Sequence, residues 1–337
     1  MEGNGFRPAC LAYGHSPLSY MTLNSGLRHF TLDGAEGYIA WKRAGGTAVA
    51  LADPVTRAED VGRLVEAFRA QIEAQGDRVA FFGATERFER QMVSTGFRKF
   101  VLGRDSVLDV ASFSRGGNKM ENVRKGVNHA RRSGLEASEL RDGDGDAARA
   151  FSELHRICGE WLRIKRSPEL ENVVWKLDSS PNPDIRYFVA RSADRIDAFA
   201  TFNPIFPTGD WYLDLTRRRP DSPNGVLDFL LVEAIDVLRD EGARRLYLGM
   251  VPEPEIHRQM TPGPASGLVG FASRFSEMFY PVEGERFFKN KYGPRWTDTF
   301  IFSDGELTMS MLYDLFLFVQ PGGLAGILGH KVAGAIF

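Results

Sequence analysis

Between residues 210 and 250 the apolar positions change period twice. Trp211, Leu213 and Leu215 alternate with Tyr212, Asp214 and Thr216, the period of two that a half-buried strand requires. Leu227, Leu230, Leu231, Ala234, Ile235 and Leu238 then recur at helical spacing, with Asp228 and Glu233 off that stripe and Gly242 placed to end the helix. Arg244 to Met250 returns to a strand pattern. Pro220 and Pro223 stop the first strand, and Asn224 is set to cap the helix. The unit reads as strand, helix, strand.

The same reading along the rest of the chain gives alternating elements. Glu36 to Lys42, Ala48 to Leu51, Val79 to Phe82 and Phe100 to Leu108 read as strands, with helices from Ala58 to Gln75 and Glu86 to Gly96. Residues 118 to 134 carry Met120, Val123, Val127 and Ala130 on one helical stripe, which predicts a basic helix ending at Gly134. Ala147 to Lys165 reads as a helix, and Ile185 to Arg191 with Asp197 to Asn203 as a hairpin. A helix from Ala265 to Met278 and strands at Phe287 to Tyr292 and Asp298 to Phe302 complete the set.

A helix, antiparallel strands, a strand bearing a functional loop, a helix and a parallel strand is the order of acetyltransferase-like (GNAT) folds. The first half reads as a degenerate copy. The expected fold is therefore α/β (α+β), a tandem GNAT fold of two mixed-sheet halves. Its parts are an N-terminal half over 1–115, a basic bridging helix over 116–136, a catalytic half over 137–305 and an apolar tail over 306–337.

Composition changes this picture little: 337 residues, 43% hydrophobic and 26% charged, describe a globular chain long enough for about two cores. A net charge of −2 gives no global field for nucleic acid. One local patch stands out, where Arg115, Lys119, Arg124, Lys125, Arg131 and Arg132 face only Glu121. Cys10 and Cys158 lack CxxC spacing or a secretory signal, which fits a reducing cytoplasm and opposes a disulfide scaffold or structural zinc. No stretch reaches the ~20 apolar residues that span a bilayer, although Leu315 to Gly329 is apolar enough to rest on a membrane or to pack on its own core.

Asp214 is the informative residue, because an unpaired carboxylate in mid-strand is costly and calls for a cation. Arg217, Arg218 and Arg219 follow at once. Asp214 either forms a site with them or ties the strand end to the loop through Arg217. A helix start beside basic residues suits an anion, but Pro220 and Pro223 remove backbone donors and Asp221 adds negative charge, so a CoA pyrophosphate is disfavoured. Asp142, Asp144, Asp146 and Glu153 mimic a calcium-loop spacing, yet Ala147 stands where the turn needs glycine and a plain acidic loop is the better reading. His155 and Cys158 lie three apart on one helix without an orienting third group, which favours packing. GxSxG, HExxH and GxxxxGK[ST] strings are absent. The cations Lys165, Arg166, Lys289, Lys291 and Arg295 alternate with Trp161, Phe287, Phe288, Tyr292 and Trp296, a mixture that suits a tRNA acceptor end or a lipid phosphate.

Asp214-Leu-Thr-Arg217-Arg-Arg219-Pro220-Asp221-Ser-Pro223-Asn224-Gly225-Val-Leu-Asp228-Phe229 and Leu248-Gly249-Met250-Val-Pro252 are specific strings. Arg124-Lys-Gly-Val-Asn128-His-Ala130-Arg131, Glu160-Trp161-Leu-Arg-Ile-Lys165 and Lys289-Asn-Lys291-Tyr292-Gly-Pro294-Arg295-Trp296 support them. With them the chain resembles, over most of its length, the cytoplasmic catalytic domain of the phosphatidylglycerol lysyltransferase and alanyltransferase family. The resemblance implies transfer of an aminoacyl group from charged tRNA to a hydroxyl of phosphatidylglycerol, without a cofactor or metal. Asp214 and Arg217 are then the catalytic pair. Lys165, Arg219, Asn224, Asp228, Lys289, Lys291, Arg295 and Trp296 are expected around the substrate, with Arg124, Asn128 and Arg131 on the tRNA. Full-length members carry an N-terminal flippase that is absent from this sequence, and Val251 to His257 departs from the family's Ser/Gly-rich continuation. Both departures keep a soluble small-molecule acceptor open beside the lipid. The expected location is the cytoplasm, with peripheral contact at the membrane's inner face as an option.

Overall fold

In a computed structural model, residues 5–141, 147–165, 168–193, 195–253, 256–259 and 282–326 are described. The chain runs α1 (Arg7–Tyr13), β1 (Arg28–Phe30), β2 (Gly37–Ala44), β3 (Thr47–Leu51), β4 (Val55–Thr56), α2 (Val61–Glu73), β5 (Arg78–Ala84), α3 (Glu89–Ser94) and β6 (Arg98–Asp109). It continues with α4 (Glu121–Arg132), β7 (Glu136–Leu140), α5 (Ala147–Lys165), β8 (Arg186–Ser192), β9 (Arg195–Ile205), β10 (Asp210–Arg218), α6 (Val226–Asp240) and β11 (Arg245–Pro252). Then come α7 (Val282–Asn290), β12 (Arg295–Ser303) and α8 (Met309–Val319).

These strands form one mixed sheet in the order β1-β2-β3-β5-β12-β6-β11-β10-β9-β8-β7, with β4 paired to β2. Two parts of it repeat a connection. β3 is antiparallel to β2 and, after α2, parallel to β5; β10 is antiparallel to β9 and, after α6, parallel to β11. β12 lies between β5 and β6 and is antiparallel to both, so the last strand fills the centre of a sheet shared by both parts.

Alternation explains how β3 is covered on both faces. Ala48 and Ala50 pack with Val61, Leu64 and Phe68 of α2, while Val49 and Leu51 pack with Leu312, Leu315 and Phe316 of α8. A strand covered twice must be apolar throughout, as Thr47–Leu51 nearly is. In the other part α6 and α4 share a core with Phe188, Phe202 and Leu246, and α5 covers the opposite face through Phe151, Leu154 and Ile157. α4 thus keeps the apolar stripe expected of it and lays that stripe on α6.

Two expectations need correction. Residues 287–290, expected in a strand, end α7; the alternation of Phe287, Lys289 and Lys291 imitates a strand, whereas Phe288 and Tyr292, four apart, both turn to the core beside α6. Asn224 does not cap α6, because Gly225 holds that position with φ +82° and no side-chain cap is present. A Cβ there would sit 2.4 Å from the backbone of Gly126, so the close approach of α4 dictates glycine. The helix expected over 265–278 lies outside the described residues. The apolar stretch of the tail packs inward as far as Val319, and among the described residues no helix is long and apolar enough to cross a membrane.

Candidate functional site

β10 and β11 pair only through Trp211 with Leu246 and Tyr212 with Tyr247, and then part. Both strands are irregular just beyond that point. β10 carries an extra residue against β9 between Leu213 and Thr216, and β11 carries one against β6 between Tyr247 and Met250. Nearby side chains satisfy the displaced backbone: Thr201 Oγ1 accepts from Leu215 N at 3.0 Å, and Ser106 Oγ donates to the Gly249 carbonyl at 3.1 Å. Gly249 has φ +91°, which favours glycine. The split opens a cavity of about 710 Å³.

Asp214 lies on the bulge and lines this cavity. Its Oδ2 accepts from Trp175 N at 3.0 Å and Asn203 Nδ2 at 3.2 Å, while its Oδ1 is buried without a hydrogen-bond partner. Burial pushes the carboxyl up to about 7, against the pull of Trp175 N–H, Asn203 and the Arg217 charge. Arg217 does not bond to Asp214. Its guanidinium stacks 3.8 Å from the Trp161 ring centre and reaches Glu169 at 3.4 Å, and its buried Nε has no partner. Of the two readings open for Asp214, the tie to Arg217 is absent. The strand end is held through the Asp214 contacts to Trp175 and Asn203 instead.

A second group faces the same space. Lys289 of α7 is 5% exposed and donates to the carbonyls of Gly249 at 3.0 Å and Met250 at 3.1 Å, with Glu285 at 3.7 Å. Burial lowers its pKa. Asp105, on β6, is 6% exposed; its Oδ2 accepts from Thr299 at 3.1 Å and its Oδ1 has no partner. Burial pushes Asp105 up to about 6, while the Lys289 charge and Thr299 pull the other way. Asp105, Trp175, Asn203 and Glu169 escaped the sequence reading. Asp105 carries the signal that exposed Asp214, a lone carboxylate inside a strand; the others owe their places to tertiary contacts.

The cavity brings together Asp214, Arg217, Lys165, Arg219 and Lys289 among the residues expected from sequence. Lys165 is exposed beside Trp161. Arg219 is buried and donates to the Ile196 carbonyl, Glu160 and Glu153, so it fastens the strand end to α5. Asp228 and Lys291 pair at 2.5 Å, with Tyr292 also on Asp228, and these tie α6 to the end of α7 away from the lining. Asn224 and Arg295 are exposed, and Trp296 donates to Asn290 at 3.2 Å; none of the three lines the cavity. On α4, Asn128 is exposed, Arg124 donates to the carbonyls of Arg115 and Gly117, and Arg131 pairs with Glu233 at 2.5 Å. These three also stand apart from the cavity. His155 contacts the Asp178 carbonyl and buried Cys158 is pushed up to about 12 by desolvation, so they do not form a reactive pair. Asp142, Asp144 and Asp146 lie outside the described residues. Among the described residues no acidic, His or Cys cluster suits a metal ion.

Sequence comparison places the chain. The family described as phosphatidylglycerol lysyltransferase, C-terminal, matches residues 8–302. The phosphatidylglycerol lysyltransferase of Bacillus subtilis is 23% identical over 288 residues, which are 86% of this chain and 33% of that protein. The chain thus spans about a third of the length of the curated relatives it matches. Two solved structures share the fold: L-PGS from Bacillus licheniformis, with a TM-score of 0.79, 21% identity and coverage of 93% of this chain and 94% of that one, and a DUF2156 domain from Agrobacterium fabrum, with a TM-score of 0.78, 22% identity and coverage of 96% and 98%. The chain belongs to the phosphatidylglycerol lysyltransferase C-terminal domain family.

Proposed function

We propose that the split between β10 and β11 is an aminoacyl-transfer site, where an aminoacyl group passes from charged tRNA to a hydroxyl of phosphatidylglycerol. One observation carries the reading: the Asp214 carboxylate, poised near neutrality, offers an unpartnered oxygen in a cavity that also holds the Arg217 guanidinium. An ester donor is already activated, so the reaction needs a proton acceptor and a stabilised oxyanion and no covalent enzyme intermediate.

The acceptor hydroxyl gives its proton to Asp214 Oδ1 as its oxygen bonds to the ester carbonyl carbon. Arg217 faces the oxyanion that forms. Collapse of this tetrahedral species breaks the bond to the ribose oxygen, which takes the proton back from Asp214. Trp161 holds the guanidinium plane, and Trp175 N–H with Asn203 fixes the carboxylate so that only Oδ1 meets substrate. Lys165 and Arg218, exposed on the lining, suit a lipid or tRNA phosphate. Leu18, Phe82, Leu102, Leu170 and Val173 make much of the remaining wall apolar.

The test is incubation with radiolabelled lysyl-tRNA and alanyl-tRNA and phosphatidylglycerol vesicles. Label is expected in the organic phase, and Asp214→Asn should lower the rate by about 100-fold or more with the fold intact. Label moved to an aqueous acceptor would overturn the lipid half of the reading. A near-normal rate in the variant would remove Asp214 from the mechanism.

A further inference from the structure

The cavity has a second carboxylate with an open oxygen. Asp105 and Asp214 lie on β6 and β10, on either side of the bulged strand β11. In each, one oxygen is held by the protein and the other is buried with no partner. The mechanism above uses Asp214 and leaves Asp105 idle. A buried carboxylate oxygen without a donor is a cost that a bound donor would remove.

The neighbouring charges say which donor fits. Lys289 is the cation nearest in kind, but its ammonium is directed to the Gly249 and Met250 carbonyls and lies 3.7 Å from Glu285. At this end Asp105 and Glu285 outnumber Lys289, whereas the other lining cations, Lys165, Arg217, Arg218 and Arg219, come from α5 and from the strand end and loop beyond Asp214. A phosphate is repelled there, and an ammonium is attracted. Leu102, on the same strand, and Phe82 give the wall an apolar approach for an aliphatic chain.

We propose that Asp105 receives a primary ammonium of the aminoacyl group and so selects the donor, while Asp214 handles the acceptor hydroxyl. The inference rests on the transfer reading and divides its work between the two carboxylates. Lys289 then serves as a positioning residue: by filling the carbonyls of the β11 bulge it keeps Gly249 and Met250 in place and leaves Asp105 to the substrate.

Calorimetric titration with three amides tests it without any transfer step. Lysinamide carries both ammonium groups, norleucinamide only the α-ammonium, and 6-aminohexanamide only the terminal one. Asp105→Asn keeps an acceptor for Thr299 and should weaken lysinamide binding by tenfold or more. It should weaken equally the single amide whose ammonium Asp105 receives, and leave the other nearly unchanged. Should Asp105→Asn fold poorly, Asp105→Ser is read in the same way. In the transfer assay the variant should raise KM for the aminoacyl-tRNA with kcat held within about threefold. Unchanged affinity for all three amides, an equal loss for all three, or no amide binding by the wild type would each overturn the inference. A wild type that binds the amides but moves no label would instead fail the transfer reading alone.

Discussion

β3–α2–β5 and β10–α6–β11 make the same connection in the same sheet, yet only the second opens. In the first, Thr47–Leu51 and Arg78–Phe82 pair residue for residue along the whole of β3. In the second, pairing stops after two residues. Each also carries a carboxylate in or just past its first strand. Asp53, just past β3, has both oxygens filled by Thr85, one by its N–H at 2.8 Å and one by its hydroxyl at 2.6 Å. Asp214 has one oxygen filled and one open. Burial raises the pKa of both, but Asp214, unlike Asp53, lines the cavity at the split. What separates a fully bonded carboxylate from one with an open oxygen here is an extra residue in each of two neighbouring strands where they part.

The sharpest way to break this contrast is at Arg217, which is buried on Trp161 and lines the cavity, whereas the cation acting on Asp53, Arg87, is exposed and does not line it. Replacing it with Met or Lys should lower kcat/KM by about 100-fold or more, because a point charge on a flexible stem neither stacks on Trp161 nor presents a planar fork to an oxyanion. A Lys variant with normal turnover would mean that charge alone suffices and that the stack is incidental.

The pH dependence follows in size. Asp214 must be ionised to take a proton, so transfer should rise about tenfold per unit below pH 7 and level off above it, and Asp214→Asn should flatten what rate remains. Stability moves the other way. The folded pKa of about 7 lies above the ordinary 3.8, so the fold favours the protonated form and the contribution of Asp214 to stability falls as pH rises from about 4 through 7. Asp214→Asn should therefore melt near the wild type at pH 4 and above it at pH 8, as thermal unfolding at both values will show. An equal shift at both would mean that the carboxylate is not desolvated.

Asp53→Ala should invert that result. It leaves the Thr85 N–H without its acceptor and should cost about 1–3 kcal/mol in chemical denaturation, with transfer within twofold of normal. Loss of transfer without loss of stability would make Asp53 a second site and dissolve the contrast between the two parts.

Sequence patterning carried the elements of both parts, since β3, β10, α2, α4 and α6 each announce one covered face or two. Asp214 stands out because it is a lone carboxylate in mid-strand. The split was not legible, because a bulge is a matter of pairing count between strands distant in sequence, and Gly249 resembles any glycine near a strand end. Trp161, Trp175 and Asn203 reach Arg217 and Asp214 from α5, the following loop and β9, contacts that no local period reports. The end of α7 reads as a strand because Phe287, Lys289 and Lys291 happen to alternate. Arg219 and Asp228 look like site residues in the string Asp214 to Phe229, but their partners Glu153, Glu160, Lys291 and Tyr292 lie far along the chain.

The smallest expected effect concerns α4, outside the cavity. Arg131 is exposed and pairs with Glu233 across α6, and an exposed pair of this kind is worth about 0–1 kcal/mol. Exchanging that partner for a tRNA phosphate would therefore cost little, whereas Arg124, with one nitrogen on two carbonyls, is less free to turn outward. If the tRNA body runs over α4, Arg131→Ala should weaken aminoacyl-tRNA binding about threefold regardless of the amino acid carried, and reduce the slope of log K against log salt by about one. Melting temperature should barely change. An altered slope with unaltered kcat would place the nucleic-acid contact on α4 and the chemistry in the split. An unchanged slope would confine recognition to the cavity rim, where Lys165 and Arg218 are the exposed cations.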